Sequence, residues 1–321
     1  MNVWPRVSVI VLNWNTYAHT EACLESLRQI TYPNRQVILV DNGSTDGSGE
    51  KLRRAFPEAV FLQNAANLGF ARGCNVGIYR ALADHSDYVL LLNSDMLVEP
   101  NFLEAAVRLA ESDPCIGLVS GKVYLQDRPG VLWYAGGTVS AWRGVTVRGW
   151  YQKDGGQFDE PCEVGFSTGA LMLIRRSVLD RIGLLPEVYF FGQEEWDYSL
   201  SVRRGGFKLY YAPQCVAYHK ADGSHRNLDP KYLYNGFRNR IIFHSKFLPR
   251  PAFLLWEQVW FFYQRFISRW RLAHLDEATL RALPVAFRAA MRDHRRTQGG
   301  GVTEQDLDAF QNEFQRSCEY N

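Results

Sequence analysis

A doubly wound α/β sheet, mostly parallel, is the fold this chain predicts, and three observations predict it. Apolar and β-branched runs alternate with stretches of helical periodicity through the first hundred residues. The runs are apolar throughout rather than at every second position, as in strands covered on both faces. Three of them lead into polar residues, at Asn13, Asp41 and Asp95, at the strand ends where open α/β sheets hold ligands.

Taken in order, Val7–Asn13 is the first strand, Thr20–Ile30 has apolar residues at helical spacing, and Gln36–Val40 is a second strand. Ser48–Phe56 reads as a short helix, Ala59–Gln63 as a strand, Gly69–Ala83 as a helix after a Gly-rich turn, and Tyr88–Leu92 as a fourth strand. Beyond 101 the alternation loosens into a helix over Phe102–Glu111, a strand over Ile116–Gly121, and a Gly- and Trp-rich stretch, 129–156. That stretch predicts hairpins and a loop of the kind that shapes a substrate pocket. Phe166–Arg175 returns to the sheet, and Glu194–Gly205 is a helix closed by Gly205-Gly206.

The 46% of hydrophobic residues can fill a sizeable core. The net charge of +2 hides an asymmetry: residues 226–296 hold 14 Lys and Arg against 5 Asp and Glu, so basic surface belongs to the C-terminal third. Six dispersed cysteines without a CxxC pair write neither a zinc knuckle nor a redox motif and read as reduced thiols of a cytosolic protein. The first residues carry one early cation, Arg6, and no small-residue cleavage site, so they are expected to be a strand and not a signal peptide.

Pro251–Trp270 carries eight aromatic residues. It is long enough to cross a bilayer, but Glu257, Gln258, Gln264, Arg265 and Arg269 fall on one side of a helix, which favours an amphipathic helix over a spanning one. Two destinations for its apolar face stand open: a membrane interface, or packing on the rest of the chain or a partner subunit.

Asp95, alone, is an ordinary turn or helix cap, and DNGSTDG (41–47) alone is an ordinary turn. Together, VSVIVLNWN (7–15), LVDNGSTDGS (39–48), NLGFARGCNVGI (67–78) and LLNSDM (91–96) form an ordered set. It resembles the family 2 glycosyltransferases over residues 7 to about 245. The resemblance implies the GT-A fold, with 1–245 as catalytic domain (1–100 the nucleotide-binding half, 101–245 the acceptor-binding half) and 246–321 as a helical, basic and aromatic extension.

The resemblance also implies roles. Asp41 matches the residue that meets a pyrimidine N3–H, with Asn13 and Asn15 beside it. Asn67, Gly69, Arg72 and Asn75 match the turn and helix start against the donor, with Arg72 suited to phosphate. Asp95 matches the last carboxylate of the DXD-type motif, which binds Mg²⁺ or Mn²⁺ on the diphosphate; here the motif reads Asn93-Ser94-Asp95, with Ser94 also against the donor. His219, in VAYH (216–219), is a second candidate ligand, a structural role weighing equally.

FFGQEEWDYSLSVRRGGFK (190–208) resembles the family's acidic motif. Acids at a helix start are otherwise ordinary dipole-favoured residues. In this setting Glu195 is the expected base that deprotonates an acceptor hydroxyl for inverting displacement. Glu194, Trp196 and Asp197, together with Gly169, Arg238 and Asn239, are expected at the acceptor or behind the base; for Arg238 and Asn239 a purely structural role stands equally. No Ser-His-Asp arrangement calls for a covalent nucleophile.

Residues 135–183 and YNGFRNRIIF (234–243) look most like bacterial rhamnosyltransferases, which use dTDP-L-rhamnose to build O-antigen or cell-wall polysaccharide. The partners so implied are a nucleotide sugar and a saccharide acceptor on a polyprenyl diphosphate, with peripheral contact through 251–296 at the inner face of the cytoplasmic membrane. An oligomer is compatible with this, and no nucleic acid is expected. Alternatives are a family 2 enzyme using UDP-galactose or UDP-GlcNAc, and an inactive sugar-nucleotide-binding homologue. A nucleotidyltransferase is disfavoured by the lack of an N-terminal Gly-rich, basic phosphate loop.

Overall fold

The computed structural model describes residues 4–220, 230–264, 277–297 and 301–319. Its contacts gather into two compact units: Met1–Val139, Val145–Pro186 and Glu195–Asp222 form the first, and Ser140–Gly144, Glu187–Glu194 and Gly223–Asn321 the second.

The first unit opens with β1 (Val7–Asn13), α1 (Tyr17–Arg28), β2 (Arg35–Asp41), α2 (Ser48–Ala55), β3 (Val60–Gln63), α3 (Phe70–Ala83) and β4 (Tyr88–Asn93). The four strands lie in the order β4-β1-β2-β3, all parallel, as their unbroken apolar runs predict. Val9, Val11, Ile38, Leu39, Leu90 and Leu91 are all buried. Helix α3 packs tightly on β1. A Cβ at Gly73 would lie 2.8 Å from Leu12 Cδ1, and one at Gly77 2.7 Å from Ile10 Cγ2; four residues apart, the two share one helix face.

The chain continues through β5 (Met96–Val98), α4 (Phe102–Glu111), β6 (Ile116–Leu125), β7 (Leu132–Tyr134), the hairpin β8 (Gly137–Ser140) and β9 (Gly144–Val147), and β10 (Cys162–Val164). Then come β11 (Leu171–Arg175), α5 (Arg176–Ile182), α6 (Glu194–Arg204) and β12 (Lys208–His219). On this side the sheet is mixed, in the order β10-β12-β6-β11-β4: β11 runs antiparallel between β4 and β6, while β12 is parallel to β6. This mixed α/β architecture around a parallel centre is the GT-A arrangement expected.

The strand expected over Phe166–Arg175 begins only at Leu171. Its first half leaves the ladder to meet other elements: Ser167 N–H donates to Ser199 Oγ at 3.1 Å, and Ala170 C=O accepts the Asn93 N–H at 3.0 Å. Strand β6 runs to Leu125, past the expected end, because β12 pairs with it along its length around a bulge between Ala212 and Val216. The short β5 was not expected; its antiparallel pairing with β12 sets His219 opposite Met96.

The second unit holds α7 (Pro230–Phe247), α8 (Arg250–Phe262), α9 (Glu277–Thr297) and α10 (Glu304–Glu319). Tyr234, Phe237, Ile241, Leu283, Phe287 and Phe310 share its core, and the Tyr234 and Phe310 rings stack at 4.6 Å. Contacts group α7 with these helices, so the units part between 222 and 223, where the sequence reading divides at 245.

Helix α8 exposes an apolar set and buries its acidic residue. Trp256 stacks on His244 at 3.9 Å and on Trp260 at 5.3 Å, and this turns Glu257 inward to 7% exposure. Leu254, Leu255, Val259, Phe261 and Phe262 point outward instead. Arg265, Arg269 and the rest of 265–276 lie outside the described residues. No helix among the described residues is long and apolar enough to cross a membrane. Cys23, Cys74, Cys115, Cys162 and Cys215 are free thiols, the first two and the last buried.

Candidate active site

The ends of three parallel strands form one rung, because Asn13 pairs with Asp41 and Asp41 with Gln63 in the sheet register. Asn13 Nδ2 donates to Asp41 Oδ1 at 2.6 Å and to Ser48 Oγ at 2.9 Å. Gln63 Nε2 donates to Asp41 Oδ2 at 2.6 Å, and Ser44 adds its hydroxyl and its N–H at 2.6 and 3.1 Å. Asp41 thus has four donors, about as many as a carboxylate can accept, and is 1% exposed. Gly49 permits this packing, since a Cβ there would sit 2.6 Å from Asp41 Cγ. Asn15, at φ 54°, accepts the Thr45 N–H with its Oδ1 at 2.8 Å. Hydrogen bonds from Ser48 hold the exposed Asp46 carboxyl below its ordinary range.

Asn42 ties this rung to the Gly-rich turn. Its Nδ2 donates to Asn67 Oδ1 at 2.9 Å and Gly69 C=O at 3.2 Å, while its Oδ1 accepts Asn64 Nδ2 at 3.0 Å and the Leu68 N–H at 3.2 Å. Asn67 Oδ1 also accepts the Gly69 N–H at 2.9 Å, and Gly69 enters α3 at φ 79°, a conformation that favours glycine. Arg72 is exposed on the first turn of α3. Asn75 lies elsewhere than expected: it is 1% exposed, and its amide exchanges hydrogen bonds of 3.0 and 3.1 Å with the Leu185 backbone.

Asp95 follows β4 after the half-buried Asn93 and Ser94. Its carbonyl accepts the Lys220 N–H at 3.0 Å, and its Oδ2 lies 3.1 Å from His219 Nε2. The register of β5 on β12 makes this meeting, which spacing alone does not reveal. Beneath it, Cys23 is directed at the Asn93 carbonyl at 3.6 Å; burial and then the Asp95 charge push its thiol pKa up. Among the described residues no group of three or more His, Cys, Asp or Glu converges on a metal position. One carboxylate oxygen and one imidazole nitrogen nevertheless suit a divalent cation that takes its other ligands from phosphate and water. His219 Nδ1 is buried with no hydrogen-bond partner among the described residues. The pair fits the ion the sequence implies.

Glu195 sits at the start of α6, near Gly169: a Cβ on Gly169 would be 3.4 Å from the Phe70 ring and 3.7 Å from Glu195 Cβ. Since Ala170 also bonds Asn93, the segment 167–170 brings the start of α3, the end of β4 and the start of α6 together. Trp196 is half-buried. Asp197 is 1% exposed and accepts Ser201 Oγ at 3.1 Å, a place behind the helix start rather than at an open surface.

Within the second unit, Arg238 and Asn239 are buried. Arg238 Nη1 donates to Val188 C=O at 3.2 Å, and Asn239 Nδ2 to the carbonyls of Phe191 and Gly192 at 3.0 and 2.7 Å. Asn235 joins them on Phe191 C=O at 2.5 Å. Burial lowers the Arg238 pKa. These contacts follow the structural alternative: the residues brace the segment that leads in sequence to Glu194, whose last residues, Gly192 and Gln193, hold φ of 84° and 70°. Glu194 itself is 4% exposed.

The sequence reading missed Asn42, Gln63 and Asn64. Their signal was available as register: polar residues closing adjacent apolar strands at equal depth fall on one rung.

The family model for glycosyl transferase family 2 matches residues 8–183. An N-acetylglucosaminyl-diphospho-decaprenol L-rhamnosyltransferase of Mycobacterium tuberculosis is 28% identical over 238 residues, 68% of this chain and 78% of that protein. The glycosyltransferase GlyG of Streptococcus pneumoniae is 34% identical over 118 residues, 35% of this chain and 38% of that one. Among solved structures, the mannosyltransferase PcManGT from Pyrobaculum calidifontis, in complex with GDP-Man and Mn²⁺, superposes with a TM-score of 0.56 at 20% identity, covering 96% of this chain and 79% of that one. GalNAc-T7 with UDP, GalNAc and Mn²⁺ gives 0.58 at 16% identity, covering 85% and 58%.

Proposed function

The chain belongs to glycosyl transferase family 2, and from that premise we propose that it transfers L-rhamnose from dTDP-L-rhamnose, with inversion, to a saccharide carried on a polyprenyl diphosphate. The observation that carries the reading is that the segment 167–170 brings Phe70 at the start of α3, Asn93 at the end of β4 and Glu195 at the start of α6 together. The choice of sugar and acceptor rests on the name of the mycobacterial relative, matched over 78% of its length. In this proposal residues 1–100 take the nucleotide, 101–245 the acceptor, and 246–321 form the extension.

The rung at Asn13 and Asp41 lies where the thymine N3–H would be read. Because Asp41 is already saturated with donors, the exposed Gln63 amide is the one that yields its place to the base. Asn15, Asn67 and Gly69 shape the turn beside the donor, Ser94 lines it, and Arg72 offers positive charge to phosphate. Asn75 serves from behind by fixing α3 to Leu185. Asp95 and His219 would hold a divalent cation, for which the imidazole nitrogen favours Mn²⁺ over the oxygen-seeking Mg²⁺. A cation so held neutralises charge on the departing diphosphate.

Glu195 takes the proton from the acceptor hydroxyl as its oxygen bonds to the anomeric carbon. The bond from that carbon to the diphosphate oxygen breaks on the opposite side, and dTDP leaves. Glu194 and Asp197, both buried, orient the helix start, and Trp196 and Gly169 bound the acceptor space. Arg238 and Asn239 act as positioning residues for the segment preceding α6. The apolar stripe of α8 and the cation excess of 226–296 support peripheral contact with the inner face of the cytoplasmic membrane.

A thermal-shift panel of nucleotide sugars with Mn²⁺ tests the reading. dTDP-L-rhamnose is expected to give the largest stabilisation and to release dTDP when acceptor is added. A larger response to a UDP-sugar would replace the donor, and binding without dTDP release would replace the enzyme by a sugar-nucleotide-binding protein.

A further inference from the structure

The sequence leaves Trp150 and Tyr151 at the end of a Gly-rich loop, and the structure exposes them by 42% and 46%. Their rings touch at a centroid distance of 5.1 Å, Trp150 lies 5.7 Å from Trp133, and Trp133 lies 4.4 Å from the His219 ring. A continuous aromatic face therefore runs from the Asp95–His219 pair to solvent, all within the first unit.

The face is built rather than incidental. Tyr151 is held at φ 56°, a conformation a bulky side chain adopts only when its surroundings impose it. The surroundings do so: Tyr151 N–H donates to Leu132 C=O at 2.9 Å, Leu132 N–H to Gln152 C=O at 2.8 Å, and Gln152 N–H to Gly149 C=O at 3.0 Å. Strand β7 thus grips the turn and presents both rings outward. At the outer end the Arg128 guanidinium lies 5.4 Å over the Tyr151 ring, exposed and rich in donors.

We propose that Trp133, Trp150 and Tyr151, with Arg128, form a subsite for a pyranose ring of the acceptor, the apolar C–H face of the sugar stacking on Trp150 and its hydroxyls meeting Arg128. A sugar suits this surface better than a hydrocarbon chain, because the rings are bordered by a cation and by the exposed Gln152 and Lys153 rather than by more apolar area. The subsite rests on the glycosyl-transfer reading, in which the Asp95–His219 pair marks the diphosphate of the donor; an acceptor sugar on the adjoining face stands next to the reacting bond.

The probe is N-acetylglucosaminyl diphosphate carrying a farnesyl chain, with farnesyl diphosphate as its sugar-free counterpart. Saturation-transfer NMR on the full chain is expected to show the sugar-ring protons of the first in contact. Trp150→Ala and Tyr151→Ala are each expected to weaken its binding roughly three- to tenfold, the scale of one aromatic contact, with Trp150→Phe retaining most of the affinity. Both alanine variants should keep the wild-type melting temperature and the wild-type stabilisation by dTDP-L-rhamnose. Equal binding of the probe by wild type and Trp150→Ala overturns the subsite. Binding of farnesyl diphosphate as tight as that of the probe overturns the sugar as occupant. A wild type that no nucleotide sugar stabilises overturns the transferase reading instead, on a measurement that involves no acceptor.

Discussion

The two ends of the ligand edge are built on opposite plans. At the Asn13–Asp41 end nearly every polar group is satisfied by another part of the chain: Asp41 by Asn13, Ser44 and Gln63, and Asn42 by Asn64, Asn67, Leu68 and Gly69. At the Asp95–His219 end the polar contact of one side chain is with the other, and a buried imidazole nitrogen has no hydrogen-bond partner among the described residues. The first end is a rigid template whose shape exists before any ligand arrives. The second leaves a polar group unmet, a cost that suits a place where charge changes during the proposed reaction.

The sharpest way to break this contrast lies at the open end. Glu195→Gln is expected to lower transfer by about a hundredfold or more while dTDP-L-rhamnose still stabilises the protein; turnover near wild type removes Glu195 as the base. Asp95→Ala should abolish the increment in dTDP binding that Mn²⁺ gives, a loss on the order of tenfold or more. Titrations of dTDP with and without the metal check it, and an unchanged increment ends the ligand assignment.

At the template end the expected effects are on folding before function. Asn42→Ala leaves Asn64 and the Leu68 N–H without their acceptor and should cost about 1–3 kcal/mol of stability, read by denaturant titration. A smaller signature separates Asp41 from its neighbour. Gln63→Ala should leave dTDP binding intact or slightly tighter, whereas weakened binding would mean that Gln63 itself reads the base.

A last effect belongs to neither end and serves as a control. Burial within the second unit depresses the His244 pKa from 6.5 to about 4. As pH falls through that window the unfolded chain takes the proton first, so stability declines between pH 6.5 and 4 and is untouched above it. His244→Gln should flatten that slope in a pH series of melting curves without altering the metal response of the Asp95 end.

How much of this was legible in the sequence follows the same division. The parallel strands could be read because burial on both faces writes them as unbroken apolar runs, and their ends located Asn13, Asp41 and Asp95. Family resemblance added Glu195. What escaped were facts of register and orientation. Gln63 and Asn42 join the site only once β2 and β3 are aligned; the resemblance already names His219 with Asp95 as candidate ligands, and only the strand that joins them, β5, three residues long, goes unread. The inward turn of Glu257 depends on Trp256 stacking against a histidine twelve residues earlier, and helical periodicity shows that a face exists without showing which way it points. Arg238 and Asn239 left two readings open because a basic and an amide side chain serve a phosphate and a backbone carbonyl equally well; only burial separates them.

Gly73 and Gly77 carry a consequence for how this molecule can be redesigned. A Cβ at either position would stand 2.7–2.8 Å from the Ile10 or Leu12 side chain, so any larger residue there would displace that side chain or shift the helix against β1. Sequence libraries aimed at a new donor should therefore hold these two positions constant and randomise the outward residues Arg72, Tyr79 and Arg80. Along this helix, tolerance to variation is divided lengthwise, one side fixed by contact and the other left to selection.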